Sequence, residues 1–247
     1  MQLPAINSNL WRSLKGLALG AALLGTAHAQ IILNSTDRGR YSEFGTHLLA
    51  DYDSFLTGQV ATVEFRSFLV FDTSAVTTPV TAAKLRLFLP TNSFSSPSAT
   101  ETFKIFDVST SIPSLSAFQF GATSIFNDLG SGVNFGTATL SESNEGSFIE
   151  IALNASFLSY INGSANDIFA LGGALTSLSG SRDQFAYFGS GTGNASDGRT
   201  QLLLWTGSTG QIDGISAVPE PSTYGLIGTG VLLAAVALRR RFAARKA

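Results

Sequence analysis

Lys84-Leu85-Arg86-Leu87-Phe88-Leu89 alternates without a break. Successive side chains of a strand point to opposite faces, so Leu85, Leu87 and Leu89 share one face while Lys84, Arg86 and Phe88 share the other. A period of two is the mark of a half-buried strand. Upstream, Val63-Glu-Phe-Arg-Ser-Phe-Leu-Val-Phe71 carries Phe on both faces and reads as a central strand. Further runs of β-type residues stand at 102–108, 148–153, 168–171, 184–188 and 200–206, and 31–33 pairs at an edge. Stretches 91–100 and 189–198 are rich in Ser, Thr, Asn, Gly and Pro and read as loops. Only 155–161 shows helical spacing, with Phe157, Leu158 and Ile161 on one side. Many short strands with almost no helix predict an all-β fold: a jelly-roll-like β-sandwich over residues 30–207 with one short helix.

Composition narrows the classes of function. The chain has 247 residues and no cysteine, which excludes a disulfide scaffold and a thiolate zinc site. Its 19 Phe supply the core instead, each worth about 2–3 kcal/mol when buried. The formal net charge of −2 hides a segregation. Residues 30–217 carry eight basic and sixteen acidic side chains, a net of −8, and the remaining basic residues flank two apolar stretches at the ends. An acidic domain of this kind argues against nucleic acid as a partner.

The first apolar stretch, 16–25, follows Arg12 and Lys15 and precedes Thr26-Ala27-His28-Ala29-Gln30. A basic start, a short apolar core and a small-x-small site make residues 1–29 a secretory signal peptide, cut by signal peptidase between Ala29 and Gln30. The second stretch, 224–238, is closed by Arg239, Arg240 and Arg241 in a basic tail, 239–247. Fifteen helical residues cover about 22 Å, and snorkelling arginines make up part of the bilayer thickness. This predicts a single transmembrane helix in the inner membrane with its C-terminus cytoplasmic, since basic flanks stay inside. Residues 208–217 form a linker, and the prolines of Val218-Pro219-Glu220-Pro221 hold an extended, accessible peptide at the outer boundary.

Val-Pro-Glu-Pro, a short apolar span and a terminal arginine cluster, in that order over residues 218–247, resemble the PEP-CTERM sorting signal of Gram-negative bacteria. The resemblance implies processing by an exosortase, transient inner-membrane anchoring, and delivery to the cell surface or extracellular matrix beside exopolysaccharide. An address does not name an activity. Phe65-Arg-Ser-Phe-Leu-Val-Phe-Asp72 followed by Ala82-Ala-Lys-Leu-Arg-Leu-Phe88 also resembles jelly-roll domains related to carbohydrate-binding modules, which implies that fold and a glycan-binding role.

Chemistry-bearing residues are sparse. His47 is the single histidine of the exported part, too few for a His-rich metal site or for a triad with an identifiable elbow, and it reads as a solvated loop side chain. Acid pairs suited to glycoside hydrolysis are sought at Asp51 with Asp53 and among Glu142, Glu145 and Glu150. Asp37, Asp51, Asp53, Asp183 and Asp197 offer oxygen ligands that leave a structural calcium open, though turn aspartates bonding their own backbone are the plainer reading. Tyr41, Tyr52, Tyr187 and Trp205 are the candidate sugar-stacking aromatics, although a strand aromatic is more often core. Gly189-Ser-Gly-Thr-Gly193 is a connector, not a dinucleotide fingerprint. Sequons at Asn34, Asn154, Asn162 and Asn194 read as coincidental. The expectation is a non-enzymatic surface or matrix protein without a cofactor, structural or adhesive in role. The alternatives are a carbohydrate-binding module and, behind it, a glycan hydrolase.

Overall fold

A computed structural model describes residues 29–47, 54–163, 168–180, 183–189 and 197–207. Two units are distinguished, Met1–Ser208 and Thr209–Ala247, and every described element belongs to the first. The strands are β1 (Ala29–Asn34), β2 (Asp37–Ser42), β3 (Ser54–Val60), β4 (Val63–Asp72), β5 (Val80–Leu89), β6 (Phe94–Ser95), β7 (Glu101–Asp107), β8 (Asn134–Leu140), β9 (Ser147–Leu153), β10 (Ile168–Leu175), β11 (Gln184–Gly189) and β12 (Thr200–Thr206). The helices are α1 (Ile112–Leu115), α2 (Thr123–Asp128) and α3 (Ala155–Gly163), with a 3-10 turn at Glu142–Asn144.

They form an all-β sandwich. A four-stranded sheet runs β1-β12-β5-β9, and an eight-stranded sheet runs β6-β11-β3-β4-β10-β7-β8 with β2 paired to β4. Every pairing is antiparallel. Leu85, Leu87 and Leu89 of β5 are buried as their alternation requires, and with Ile151, Leu202 and Leu204 they face Phe55, Phe71, Phe103, Leu171 and Phe188 of the larger sheet. The rings interlock: Phe188 lies 5.2 Å from Phe55 and 5.3 Å from Phe103. This burial stands in for the missing disulfides.

The Phe on both faces of β4 have separate destinations. Leu69 and Phe71 enter the main core. Phe68 and Val70 enter a second core on the other side of the larger sheet, closed by Leu115 of α1, Ile125 and Phe126 of α2, and Leu129. A strand so covered on both sides loses the polar alternation of an exposed one.

The helix expected over 155–161 is α3, whose Asn154 side chain caps it by accepting from the amides of Ser156 (3.0 Å) and Phe157 (3.2 Å). Two further short helices, α1 and α2, depart from the expectation of one. Pro113 favours the first turn of α1. Asp128 at the end of α2 accepts from the amides and hydroxyls of both Ser109 and Thr110, pinning the intervening loop in a compact form. Stretch 91–100 is not entirely loop, since β6 pairs there with Phe185 and Ala186. Strands β2, β3 and β8 were not expected. β2 reads Asp-Arg-Gly-Arg-Tyr-Ser and buries residues on both faces, Arg38 and Ser42 on one and Gly39 and Tyr41 on the other, a pattern that hydropathy does not recognise.

Candidate functional site

Two features of the chain bear on function: the segments at its ends and the outward face of the four-stranded sheet. At the N-terminal end, Ala29 and Gln30 are the first residues of β1 and pair with Thr206 and Trp205, the last residues of β12. The first and last described strands therefore lie side by side on one sheet. Ala27, the linker 208–217, the motif Val218-Pro219-Glu220-Pro221, the apolar stretch 224–238 and Arg239, Arg240 and Arg241 lie outside the described residues. Among the described residues no helix is long and apolar enough to cross a membrane.

The outward face follows from the alternation of its strands. Because Leu85 and Leu87 turn inward, Lys84, Arg86 and Phe88 turn outward, and register aligns Asn34, Gln201, Arg86 and Glu150 in one row across all four strands. Gln201 links the row, its Nε2 donating to Asn34 Oδ1 (3.1 Å) and its Oε1 accepting from Arg86 (3.2 Å). The next row joins Phe88 to Phe148, ring to ring at 5.2 Å. A guanidinium lies against each ring: Arg86 3.9 Å from the centre of Phe148, and Arg199 4.4 Å from that of Phe88. Arg86 Nε is buried without a hydrogen-bond partner, and no carboxylate pairs with this guanidinium among the described residues. Lys84 is bridged to Glu150 at 2.8 Å. Helix α3 packs into the main core and α1 and α2 into the second, so no described element covers this face. Its Ile32, Asn34, Phe148 and Glu150 are exposed.

The residues singled out from sequence are dispersed. His47 is buried, not solvated as expected: Gly39, with no side chain, leaves room for its ring, which stacks on Tyr41 at 5.0 Å and meets Phe68 edge-on at 5.3 Å. Its Nδ1 donates to the Arg40 carbonyl at 2.9 Å. Tyr41 is likewise no surface aromatic. It is fully buried, its hydroxyl donates to the Leu115 carbonyl at 2.8 Å, and burial, with the nearby Asp37 charge, pushes its phenol up to about 12. Tyr187 is half-buried beside Arg40, and Trp205 is half-buried on the outward face of β12. Asp51, Tyr52, Asp53, Asn194 and most of Gly189–Gly193 lie outside the described residues.

The remaining carboxylates have separate tasks. Asp37 accepts from the Arg38 amide and the Ser116 hydroxyl, Asp183 from the Ala61 amide at 2.9 Å, and Asp197 from the buried Arg38. Glu142 opens the 3-10 turn and Glu150 holds Lys84. Glu145 spans to the neighbouring turn and accepts from the amides of Asn92, Ser93 and Phe94 at 2.9, 2.8 and 2.7 Å. Burial alone would raise its pKa, but these three donors outweigh it and hold the carboxyl below its ordinary range. Among the described residues no three His, Cys, Asp or Glu gather as a metal site. The sequon residues Asn154 and Asn162 serve the backbone, Asn162 by bonding both the N–H and the carbonyl of Val80 at 2.8 and 2.9 Å. A cavity of about 160 Å³ between Val76, Pro79 and Ile161 is smaller than ligand pockets of about 300 Å³ or more.

The arginine–phenylalanine pairs were not recognised from sequence as a site. Their only signal is the outward set Lys84, Arg86 and Phe88, since Phe148 and Arg199 join it through sheet register.

Residues 217–241 match the PEP-CTERM protein-sorting motif. The chain thus carries the address of an exosortase-targeted exported protein. No curated protein matches the chain.

Proposed function

We propose that this is a non-catalytic surface or extracellular-matrix protein with a structural or adhesive role beside exopolysaccharide. The observation that carries the reading is the sorting motif at 217–241, whose position after a β-sandwich suits a domain displayed outside the cell. The carboxylates support a non-enzymatic role, because Asp128, Glu145 and Asp197 are each committed to hydrogen bonds or an ion pair that organise the fold. Signal peptidase acts at Ala29–Gln30, exosortase acts near Pro219-Glu220-Pro221, and the C-terminus faces the cytoplasm until then.

The second reading, a carbohydrate-binding module, draws on the outward guanidinium–aromatic face. The jelly-roll resemblance adds less, because Phe65–Asp72 and Ala82–Phe88 fall in β4 and β5, where the shared pattern answers to core packing.

The test is fractionation of cells carrying the chain tagged after Gln30. Replacing Pro219, Glu220 and Pro221 with alanine keeps the apolar span and the arginines, so the variant is expected full-length in the inner membrane and missing from the surface. A strain without exosortase reproduces this. Unchanged processing and location in both would make the tail an ordinary anchor and end the surface-matrix reading.

A further inference from the structure

We infer that the outward face of the four-stranded sheet is a binding site for an extended acidic polysaccharide, with Arg86 and Arg199 engaging carboxylates of successive sugars. The proposal deepens the function proposed above and rests on the extracellular part of it.

Charge points to the ligand's sign. Residues 30–217 carry a net −8, yet three of their eight cations, Lys84, Arg86 and Arg199, stand on this one face. Of the nearby acids, Glu150 is bridged to Lys84, and Asp197 pairs with the buried Arg38 at 3.2 Å and, more loosely at 3.9 Å, with Arg199. Arg86 has an amide and a ring for partners and no carboxylate among the described residues. A guanidinium held flat on an aromatic ring keeps its outer N–H edge free to grip a planar carboxylate in two bonds.

The other groups suit sugar. Phe88 and Phe148 offer ring surface to the C–H faces of a pyranose, and the amides of Asn34 and Gln201 both donate and accept, as hydroxyls require. Strands about 4.8 Å apart, each adding a group to the row, favour a long ligand lying over several of them in place of a small one held in a pocket. An acidic peptide would satisfy the cations, so the test below includes one.

The test is affinity electrophoresis of the full chain in non-ionic detergent, through gels cast with polygalacturonate, neutral dextran or poly-glutamate. Retardation is expected with polygalacturonate only. R86Q and R199Q each weaken it roughly tenfold, the worth of one charge-assisted contact. R86K, which keeps the charge and loses the flat stack, falls between. K104Q removes the same charge from the other sheet, and F120A removes an exposed ring outside the face; both retain wild-type retardation. Urea midpoints within experimental error of wild type establish that the Arg86 and Arg199 variants remain folded. Equal losses in R86Q and K104Q, equal retardation by poly-glutamate, or none by polygalacturonate would overturn the proposal. Sorting does not enter this assay, so binding by a chain that never reaches the surface would overturn the surface reading alone.

Discussion

Arg38 gives the sharpest forecast about stability. It lies on β2 in the larger sheet with its side chain at 0% exposure, and its two terminal nitrogens meet the two oxygens of Asp197 at 3.2 and 3.3 Å. A third bond runs to Thr200 Oγ1 at 3.0 Å, at the start of β12 in the smaller sheet. The cluster therefore bolts the two sheets together between segments more than 150 residues apart in sequence. Asp197→Asn keeps the shape but removes the negative charge that is paired with a buried guanidinium. Breaking such a pair costs about 3–5 kcal/mol, and the amide oxygen still accepts one bond, so the lower end, about 3 kcal/mol, is expected. With a urea slope of about 2 kcal/mol per molar, the unfolding midpoint falls by about 1.5 M. Arg38→Met removes the buried charge and refills the volume, while Asp197 keeps the Arg199 amide at 2.9 Å, so the cost is about 1–2 kcal/mol. The double variant is more stable than the sum of the singles by about 1 kcal/mol or more. Urea unfolding of the chain from Gln30 onward, followed through Trp205, reads all three, because the other tryptophan, Trp11, falls in segment 1–29. A midpoint shift under about 0.3 M for Asp197→Asn, or strict additivity, would refute the argument.

Four further outcomes are expected. Asp128 and Glu145 are both held below their ordinary carboxyl values, against the opposing effect of burial, by hydrogen bonds from Thr110 and Ser109 and from Phe94, Asn92 and Ser93. Their folded values lie under the unfolded ones, so the stability they add is complete above the unfolded carboxyl range of about pH 4 and is lost as pH falls through the folded values. Urea midpoints across that window should flatten in D128N/E145Q, and parallel curves would contradict this. Gly172→Ala places a methyl carbon 2.5 Å from the Leu129 carbonyl oxygen and 2.9 Å from its Cα, backbone atoms that cannot swing aside. It should cost about 1–3 kcal/mol in thermal unfolding, and a loss under about 0.5 kcal/mol would show that Leu129 yields. Tyr41→Phe abandons the Leu115 carbonyl and should cost about 1–2 kcal/mol. Since folding raises this phenol to about 12, its contribution is complete below about pH 10 and is lost above it; burial raises Tyr160 as well, so ultraviolet titration should find one late tyrosine more in wild type than in Y41F, and equal counts would contradict the burial of Tyr41. The intact mass of the exported chain should begin at Gln30, which sacrifices only the outermost β1 pair, Ala29 with Thr206; a retained segment 1–29 would make it an anchor.

Period-two leucines in β5, Phe on both faces of β4, the helical spacing over 155–161 and the sorting motif were all legible along the chain, because each is a local pattern: a strand's faces, a helix's apolar side and an address are set by residues within one short segment. Strand β2 was not legible, since its buried residues are Arg38 and Ser42 on one face and Gly39 and Tyr41 on the other, and an arginine counts as buried only once Asp197 and Thr200 lie across from it. His47 and Tyr41 looked like surface side chains for the same reason: Phe68, Gly39 and the carbonyl end of α1, which bury them, come from other segments. The outward face shows the division most plainly. Alternation alone sends Lys84, Arg86 and Phe88 to one side of β5. Only the antiparallel register of β5 with β9 and β12 sets Phe148 under Arg86 and Arg199 over Phe88, because residues 62 and 111 positions apart are brought together by strand pairing and not by any pattern within either strand.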